Sequence, residues 1–158
     1  MKTIKVNFMV NREKLSVNVK PYETLLETLR ERLYLTGAKE ACSIGSCGSC
    51  TILLDSVPVR SCLLLTAEVE GKEITTIEGL AIDGQLHPLQ EAFIENGAVQ
   101  CGFCTSGMIL TAKSLIDRFN KPSKEQIVRS ISSNVCRCTG YKKIIEAVLS
   151  VAEKRRET

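Results

Sequence analysis

The chain has 158 residues, of which 44% are hydrophobic and 25% charged, and its net charge is +3. This balance is typical of a folded globular protein and excludes a disordered or collagen-like chain. No apolar run approaches the roughly 20 residues that cross a bilayer. Basic residues are spread over both halves, without the basic patch or tail typical of proteins that bind nucleic acid or anionic membranes. We therefore expect one or two domains with no nucleic-acid partner and no membrane span.

The first 76 residues have the alternating apolar pattern of strands, interrupted by one short helical pattern. Thr24 and Glu27 have the spacing of a capping box, which predicts that a helix begins there. The first predicted elements are a hairpin over 4–10 and 15–19 and a helix that ends at Gly37, with Leu25, Leu26, Leu29 and Leu33 on one face. A loop over 41–50 follows, and after it come a strand at Thr51–Leu54, a turn at Asp55–Pro58 and a strand at Ile74–Ile77.

After residue 76 the apolar spacing becomes helical. Four helices are predicted, at His87–Asn96, Met108–Phe119, from Ser123 to about Ser132, and at Tyr141–Lys154. Gly79, Asp83 and Gly84 lie in the connecting segment over 77–86. We therefore predict two domains, a β-rich domain over 1–77 and a helical domain over 78–158.

The composition is unusual in its eight cysteines, which accompany one histidine and no tryptophan. The first ten residues alternate in polarity and lack the continuous apolar core of a signal peptide, so we expect a cytoplasmic protein. Thiols stay reduced in the cytosol, where clustered cysteines indicate metal or redox chemistry rather than disulfides. Each predicted domain holds four cysteines, and four is the number of thiolates that a [2Fe–2S] cluster requires.

The first four cysteines have the spacing of plant-type ferredoxins, with four, two and then eleven residues between them. Thiolates that converge on two irons from one short segment need a loop that is neither helical nor extended. Gly45 and Gly48 allow left-handed backbone in this loop and leave room for a cluster. A four-cysteine zinc site and disulfides are the alternatives. The predicted ligands of this first cluster are Cys42, Cys47, Cys50 and Cys62.

The second four cysteines form a Cys-x2-Cys pair and a Cys-x-Cys pair, each just before a predicted helix. A helix N-terminus carries partial positive charge that lowers the pKa of a thiol and suits an anionic cluster. The spacing alone also fits a zinc site or a thiol–disulfide redox pair. The predicted ligands of this second centre are Cys101, Cys104, Cys136 and Cys138.

Other residue types exclude several kinds of site. His87 is the only histidine, so a two-histidine Rieske centre is excluded, and its position favours the start of a helix. No Gly-x-Gly-x-x-Gly motif or phosphate-binding loop is present in the sequence, and we expect no flavin or nucleotide on this chain. Gln100 directly precedes a predicted ligand and is interpreted either as an ordinary hydrogen-bonded residue or as a functional one.

Three motifs resemble those of the iron–sulfur subunits of the molybdenum hydroxylases, the xanthine dehydrogenase and aldehyde oxidase family. They are EACSIGSCGSCT at 40–51, GAVQCGFCTSGM at 97–108 and NVCRCTGY at 134–141, and the resemblance covers nearly the whole chain in order. The sequence departs from the usual family residues at five non-ligand positions, Ala41, Ser46, Ser49, Ser106 and Ser133.

The resemblance implies an α+β protein in which a β-grasp, plant-type ferredoxin domain precedes a four-helix-bundle [2Fe–2S] domain. It implies a small subunit that carries two [2Fe–2S] clusters and passes electrons from a large molybdenum-pterin subunit to a medium FAD subunit or another acceptor, in a heterotrimer or a dimer of heterotrimers. By the same resemblance, Gln100 and Cys138 face the pterin. Substrate oxidation would take place on the partner. A free-standing ferredoxin-like carrier and a zinc-stabilised interaction module are the alternatives.

Overall fold

The structure is a computed structural model that describes residues 2–119 and 121–155, and it places a mixed sheet before a group of helices. The strands are β1 (Ile4–Val10), β2 (Glu13–Val19), β3 (Thr51–Leu54), β4 (Val57–Arg60) and β5 (Glu73–Thr75). The helices are α1 (Leu25–Glu27, continued by the π-helical turn Thr28–Arg32), α2 (Pro88–Glu95), α3 (Thr105–Arg118), α4 (Lys124–Ile131) and α5 (Lys142–Lys154). No helix in these described ranges is both long and apolar enough to span a membrane.

The five strands form one sheet in the order β2-β1-β5-β3-β4. Strand β1 pairs antiparallel with β2 and parallel with β5, and β3 pairs antiparallel with both β4 and β5. A parallel pair needs a long crossover, and the connection between β1 and β5 includes α1, which packs its buried leucines on the sheet. This mixed sheet with one covering helix, followed by four helices, confirms the predicted α+β β-grasp and helical architecture.

Both hairpins turn through two residues with left-handed backbone. Asn11 and Arg12 have φ angles of 50° and 74°, and Asp55 and Ser56 have 48° and 68°. A two-residue turn with left-handed backbone at both positions has a twist that matches the right-handed twist of the flanking strands. The predicted turn at Asp55–Pro58 was wrong in its second half, because the chain returns at once as β4. Pro58 is tolerated there because β4 is an edge strand.

The capping box at the start of α1 is confirmed. The Thr24 hydroxyl accepts a hydrogen bond from the Glu27 N–H at 3.2 Å, and the Glu27 carboxylate accepts one from the Thr24 N–H at 2.7 Å. The prediction that Gly37 terminates this helix was wrong. The helix ends at Leu33, and Tyr34 takes left-handed backbone with a φ of 56°.

In the second half, α2, α4 and α5 agree with the sequence prediction. His87 caps α2, accepting the Leu89 N–H on Nδ1 at 3.2 Å, as its position at a helix start predicted. Helix α3 begins three residues earlier than the apolar pattern indicated. Its first turn is polar yet buried, because the Ser106 hydroxyl donates to the Gly37 carbonyl of the ferredoxin-like half at 2.6 Å.

Two hydrophobic clusters form the interior, one in each half, and they meet at β3. Leu53 of β3 belongs to the helical cluster, while Ile52 belongs to the sheet cluster. Neighbouring strand residues point to opposite faces of a sheet, so β3 is buried on both sides. The sheet thus supplies one wall of the helical core, and the two halves are packed against each other.

A partly buried ion pair between Glu23 and Arg32 fixes the segment before α1. The Glu23 carboxylate accepts hydrogen bonds from Arg32 Nη2 at 2.6 Å and from the Thr28 hydroxyl at 2.9 Å. The Thr28 hydroxyl also lies 2.7 Å from that of Thr66, in a short helical turn before β5. The hydrogen bond from Arg32 lowers the pKa of Glu23 from 4.5 to about 2, against the effect of burial.

We expect Glu23→Gln to lower the free energy of unfolding at pH 7 by about 1–2 kcal/mol, allowing for solvent screening of the partly exposed Arg32. The pKa of Glu23 is lower in the folded state, so the ion pair stabilises the fold above pH 4.5, and this contribution is lost as the pH falls toward about 2. Urea unfolding should show a constant gap between wild type and variant from pH 8 to 5 that closes at lower pH. An equal gap at pH 3 would contradict this assignment.

Candidate metal centres

The first four cysteines lie on the loop between α1 and β3 and on the turn after β4. The loop takes left-handed backbone at Ser43, Gly45 and Gly48, with φ angles of 51°, 75° and 77°. The two glycines are the positions where the sequence predicted such backbone, while Ser43 was missed. Three left-handed residues within six positions make the chain turn tightly around a small volume, which neither a helix nor a strand could do.

The tight turn of this loop directs main-chain N–H groups toward the sulfur of Cys42. The Cys47 N–H lies 3.4 Å from the Cys42 Sγ. Hydrogen bonds from the N–H groups of Cys47 and Ile44 lower the pKa of Cys42 to about 6. In contrast, burial and the neighbouring Cys50 thiol raise the pKa of Cys62 to about 11. The Cys62 thiol therefore faces both Cys50 and Cys42, and Cys42 faces Cys47, so the four thiols of this site form one group.

The space beside the two loop glycines is occupied by other parts of the chain. A Cβ added at Gly45 would overlap the Leu63 side chain, and one at Gly48 would lie 2.7 Å from Asn134 Nδ2 and 2.9 Å from the Ser133 carbonyl oxygen. Gly45 therefore lets the turn after β4 approach the loop. Gly48 lets the helical half approach it.

The second four cysteines pair across the two motifs rather than within them. The Cys101 and Cys138 sulfurs lie 3.6 Å apart. The Cys104 thiol interacts with that of Cys136. Each pair thus takes one thiol from the segment before α3 and one from the segment before α5, which brings these two helix starts together.

The predicted lowering of the thiol pKa at a helix N-terminus is wrong for Cys104. Burial, with a contribution from Cys136, raises the pKa of Cys104 to about 12. Burial also acts to raise the pKa of Cys136, but the hydrogen bonds from Thr139 outweigh it, and the pKa of Cys136 is lowered overall. The site therefore combines Cys104, whose thiol resists ionisation, with Cys136, whose thiol ionises more readily than a free cysteine.

A buried asparagine joins the two sites. Asn134 is fully buried, donates from Nδ2 to the Gly48 carbonyl at 2.9 Å, and accepts the Thr111 hydroxyl on Oδ1 at 2.9 Å. The next residue, Val135, donates its N–H to the Cys47 carbonyl at 2.8 Å. The loop of the first site thus contacts the segment that supplies Cys136 to the second. Sequence reasoning assigned Asn134 no role, although it lies in a motif of recognised resemblance.

The outer side of the second site is open to solvent. Gln100, Cys101 and Cys138 are all exposed. Large apolar side chains are also exposed near the cysteines of both sites in the sequence. They are Ile44 and Leu63 at the first site and Val99, Phe103 and Val135 at the second.

The arrangement fits two [2Fe–2S] clusters. All eight cysteines are free thiols, and four of them lie in each half. A [2Fe–2S] cluster is held by four thiolates, which is two for each iron. The four thiols in each half therefore match the donor set of one two-iron cluster.

Known proteins share this chain's organisation. A 2Fe-2S iron-sulfur cluster binding domain matches residues 8–81, and a [2Fe-2S] binding domain matches residues 76–149. The nicotinate dehydrogenase small FeS subunit of Eubacterium barkeri is 46% identical over 154 residues, covering 98% of each chain. The xanthine dehydrogenase iron-sulfur-binding subunit of Escherichia coli O157:H7 is 42% identical over 149 residues, covering 93% of each.

Solved structures agree. The crystal structure of quinoline 2-oxidoreductase from Pseudomonas putida 86 contains a chain that is 42% identical and superposes with a TM-score of 0.94, over 99% of this chain and 98% of that one. The chain thus matches two [2Fe-2S] domain families, one after the other, and it matches relatives and a solved chain over nearly its whole length. The chain belongs to the family of two-domain iron–sulfur small subunits of the molybdenum hydroxylases, with the xanthine dehydrogenases and aldehyde oxidases.

Proposed function

We propose that this chain is the electron-transfer subunit of a molybdenum-dependent dehydrogenase or hydroxylase and turns over no substrate alone. The observation that carries the proposal is the presence of two thiol quartets on consecutive halves whose ligand loops touch. The hydrogen bond from Val135 to the Cys47 carbonyl, at 2.8 Å, holds the two loops at a fixed separation. A chain that holds two redox centres at a fixed separation suits transfer between cofactors on different partners.

The proposed ligands divide at the predicted domain boundary between residues 77 and 78. When bound, each cluster supplies a one-electron couple, which the protein tunes through hydrogen bonds and burial. The residues of this chain hold, orient and shield the two centres. Those proposed to hold the first are Cys42, Cys47, Cys50 and Cys62, and those proposed to hold the second are Cys101, Cys104, Cys136 and Cys138.

The exposed surface at the second site is the proposed contact with the large molybdenum-pterin subunit. Gln100 is exposed beside Cys101, and Cys138 is exposed within 3.6 Å of that sulfur. We assign Gln100 and Cys138 to the pterin side and the loop around Gly45 and Gly48 to the side of an FAD subunit or other acceptor. The exposed apolar side chains near both sites favour this bound role over a free-standing carrier, which needs no such surface.

The substrate is set by the partner and not by this chain. Nicotinate dehydrogenase and xanthine dehydrogenase name different substrates, yet their small subunits are 46% and 42% identical to this one. A small subunit that serves such different oxidations has to be built for electron transfer alone. We propose a heterotrimer, or a dimer of heterotrimers, in the cytoplasm.

Purification of the native complex tests this function. We expect the chain to copurify with a large and a medium subunit, to contain about four irons, and to give two distinct electron paramagnetic resonance signals on reduction with dithionite. The purified complex should be red-brown. Two irons per chain, stoichiometric zinc, or a colourless monomer from the native source would contradict the proposal.

A further inference from the structure

The Cys136 sulfur receives two hydrogen bonds from one residue. The Thr139 N–H lies 3.4 Å from the Cys136 Sγ, and the Thr139 Oγ1 lies 3.2 Å from it. Both distances are within the range of hydrogen bonds to sulfur. The N–H belongs to the main chain and would remain with any residue other than proline at this position, whereas the hydroxyl depends on a threonine or serine.

The direction of the hydroxyl hydrogen bond follows from the protonation state of a ligating sulfur. The Tyr141 N–H donates to the Thr139 Oγ1 at 3.2 Å and occupies one of its acceptor positions. A thiolate that ligates iron has no proton to donate. The hydroxyl therefore accepts from Tyr141 and donates its own proton to the sulfur of Cys136.

The main chain of Cys136 is fixed by the same tyrosine. The Cys136 N–H donates to the Tyr141 hydroxyl at 2.9 Å, and this hydroxyl donates to the Asn134 carbonyl at 3.1 Å. Tyr141 reaches this position through left-handed backbone with a φ of 67°. With both its N–H and its sulfur engaged, Cys136 is held so that the hydroxyl of Thr139 remains aimed at the Sγ.

We propose that the Thr139 hydroxyl raises the reduction potential of the second cluster, an inference that rests on the proposed function. Reduction adds one electron and therefore negative charge to the cluster and its sulfurs. A hydrogen-bond donor at a ligand sulfur stabilises the added charge. The proton stays on Thr139 Oγ1 and no bond is broken. At the first site the Cys42 sulfur receives its hydrogen bonds chiefly from main-chain N–H groups, which every substitution other than proline retains.

The test is a redox titration of the purified complex with Thr139→Val, followed by electron paramagnetic resonance. At the potential where the wild-type second cluster is half reduced, we expect the ratio of reduced to oxidised second cluster to fall about threefold to tenfold. This corresponds to a shift of about 30–60 mV, since a tenfold change is 59 mV for one electron. The first cluster in the same chain is the internal control and should not shift.

Thr139→Ser supplies the matched variant, because it keeps the hydroxyl, and it should titrate within about twofold of wild type. If the valine complex does not assemble, Thr139→Ala removes the hydroxyl without placing a methyl group against the sulfur, and it should show the shift expected for valine. An unchanged ratio in Thr139→Val or Thr139→Ala, an equal shift of both clusters, or a serine variant that behaves like valine would overturn the inference. Absence of a second cluster signal in wild type would instead refute the proposed function.

Discussion

Cys47→Ala should abolish steady-state transfer from substrate to the final acceptor while leaving the complex assembled. The substitution removes one of the four thiolates proposed for the first cluster, and alanine offers no replacement donor. Iron should fall from about four to about two per chain. Turnover should fall by at least about 100-fold, the upper end for loss of an outer-shell partner of a metal ligand.

Assembly should survive because the contact between the two halves at this residue is made by the main chain. The Cys47 carbonyl accepts the Val135 N–H, and a side-chain change leaves this hydrogen bond in place. The second cluster, nearer the proposed pterin side, should then still be reduced by substrate in a single turnover. Its electron paramagnetic resonance signal provides the measurement.

Ser46→Ala is the matched control for this loop. Ser46 is exposed and is not a proposed ligand, and it offers its main-chain N–H to Cys42, which alanine retains. Iron content and turnover should stay within about twofold of wild type. If Cys47→Ala kept its turnover, or if the second signal no longer formed with substrate, the proposed order of the two centres would be wrong.

The elements that the sequence predicted well are those specified by neighbouring residues. The capping box at Thr24 and the cap at His87 each depend on side chains within about three residues. The candidate cysteine ligands could be predicted from their spacing, whereas the fold class was implied by the resemblance to a known family. Strand β4 was missed because it is short and contains Pro58.

The remaining features depend on contacts between distant parts of the chain. Asn134 bonds to Gly48, 86 residues away, and to Thr111, 23 residues away, so no local pattern indicates its role. Cys104 was expected to have a low pKa from its helix start, but the burial that reverses this effect arises only on folding. Thr139 lies three residues from its partner Cys136 and could have been found by asking which hydroxyls can reach a predicted ligand.

Asn134→Ala should lower the free energy of unfolding by about 2–4 kcal/mol. Asn134 is fully buried, and alanine would leave the Thr111 hydroxyl without its acceptor and remove one of the donors to the Gly48 carbonyl, which would keep its hydrogen bonds from Thr51. A small cavity adds to this cost. The loss should affect both halves, because the amide side chain connects the loop of the first site to α3 and to the segment before α5.

Hydrogen exchange followed by mass spectrometry distinguishes this connection from a local defect. In Asn134→Ala, we expect protection to fall both in residues 47–54, where the Thr51 N–H bonds to the Gly48 carbonyl, and in residues 133–141. Ser133→Ala is the matched control, since the exposed Ser133 hydroxyl donates to the same Oδ1 at 3.0 Å and its loss should cost only about 0.5 kcal/mol. Loss of protection confined to residues 133–141 would show that Asn134 supports only its own segment. Loss in both would mean that the two ligand loops share one buried support, so that the geometry of one site depends on the integrity of the other.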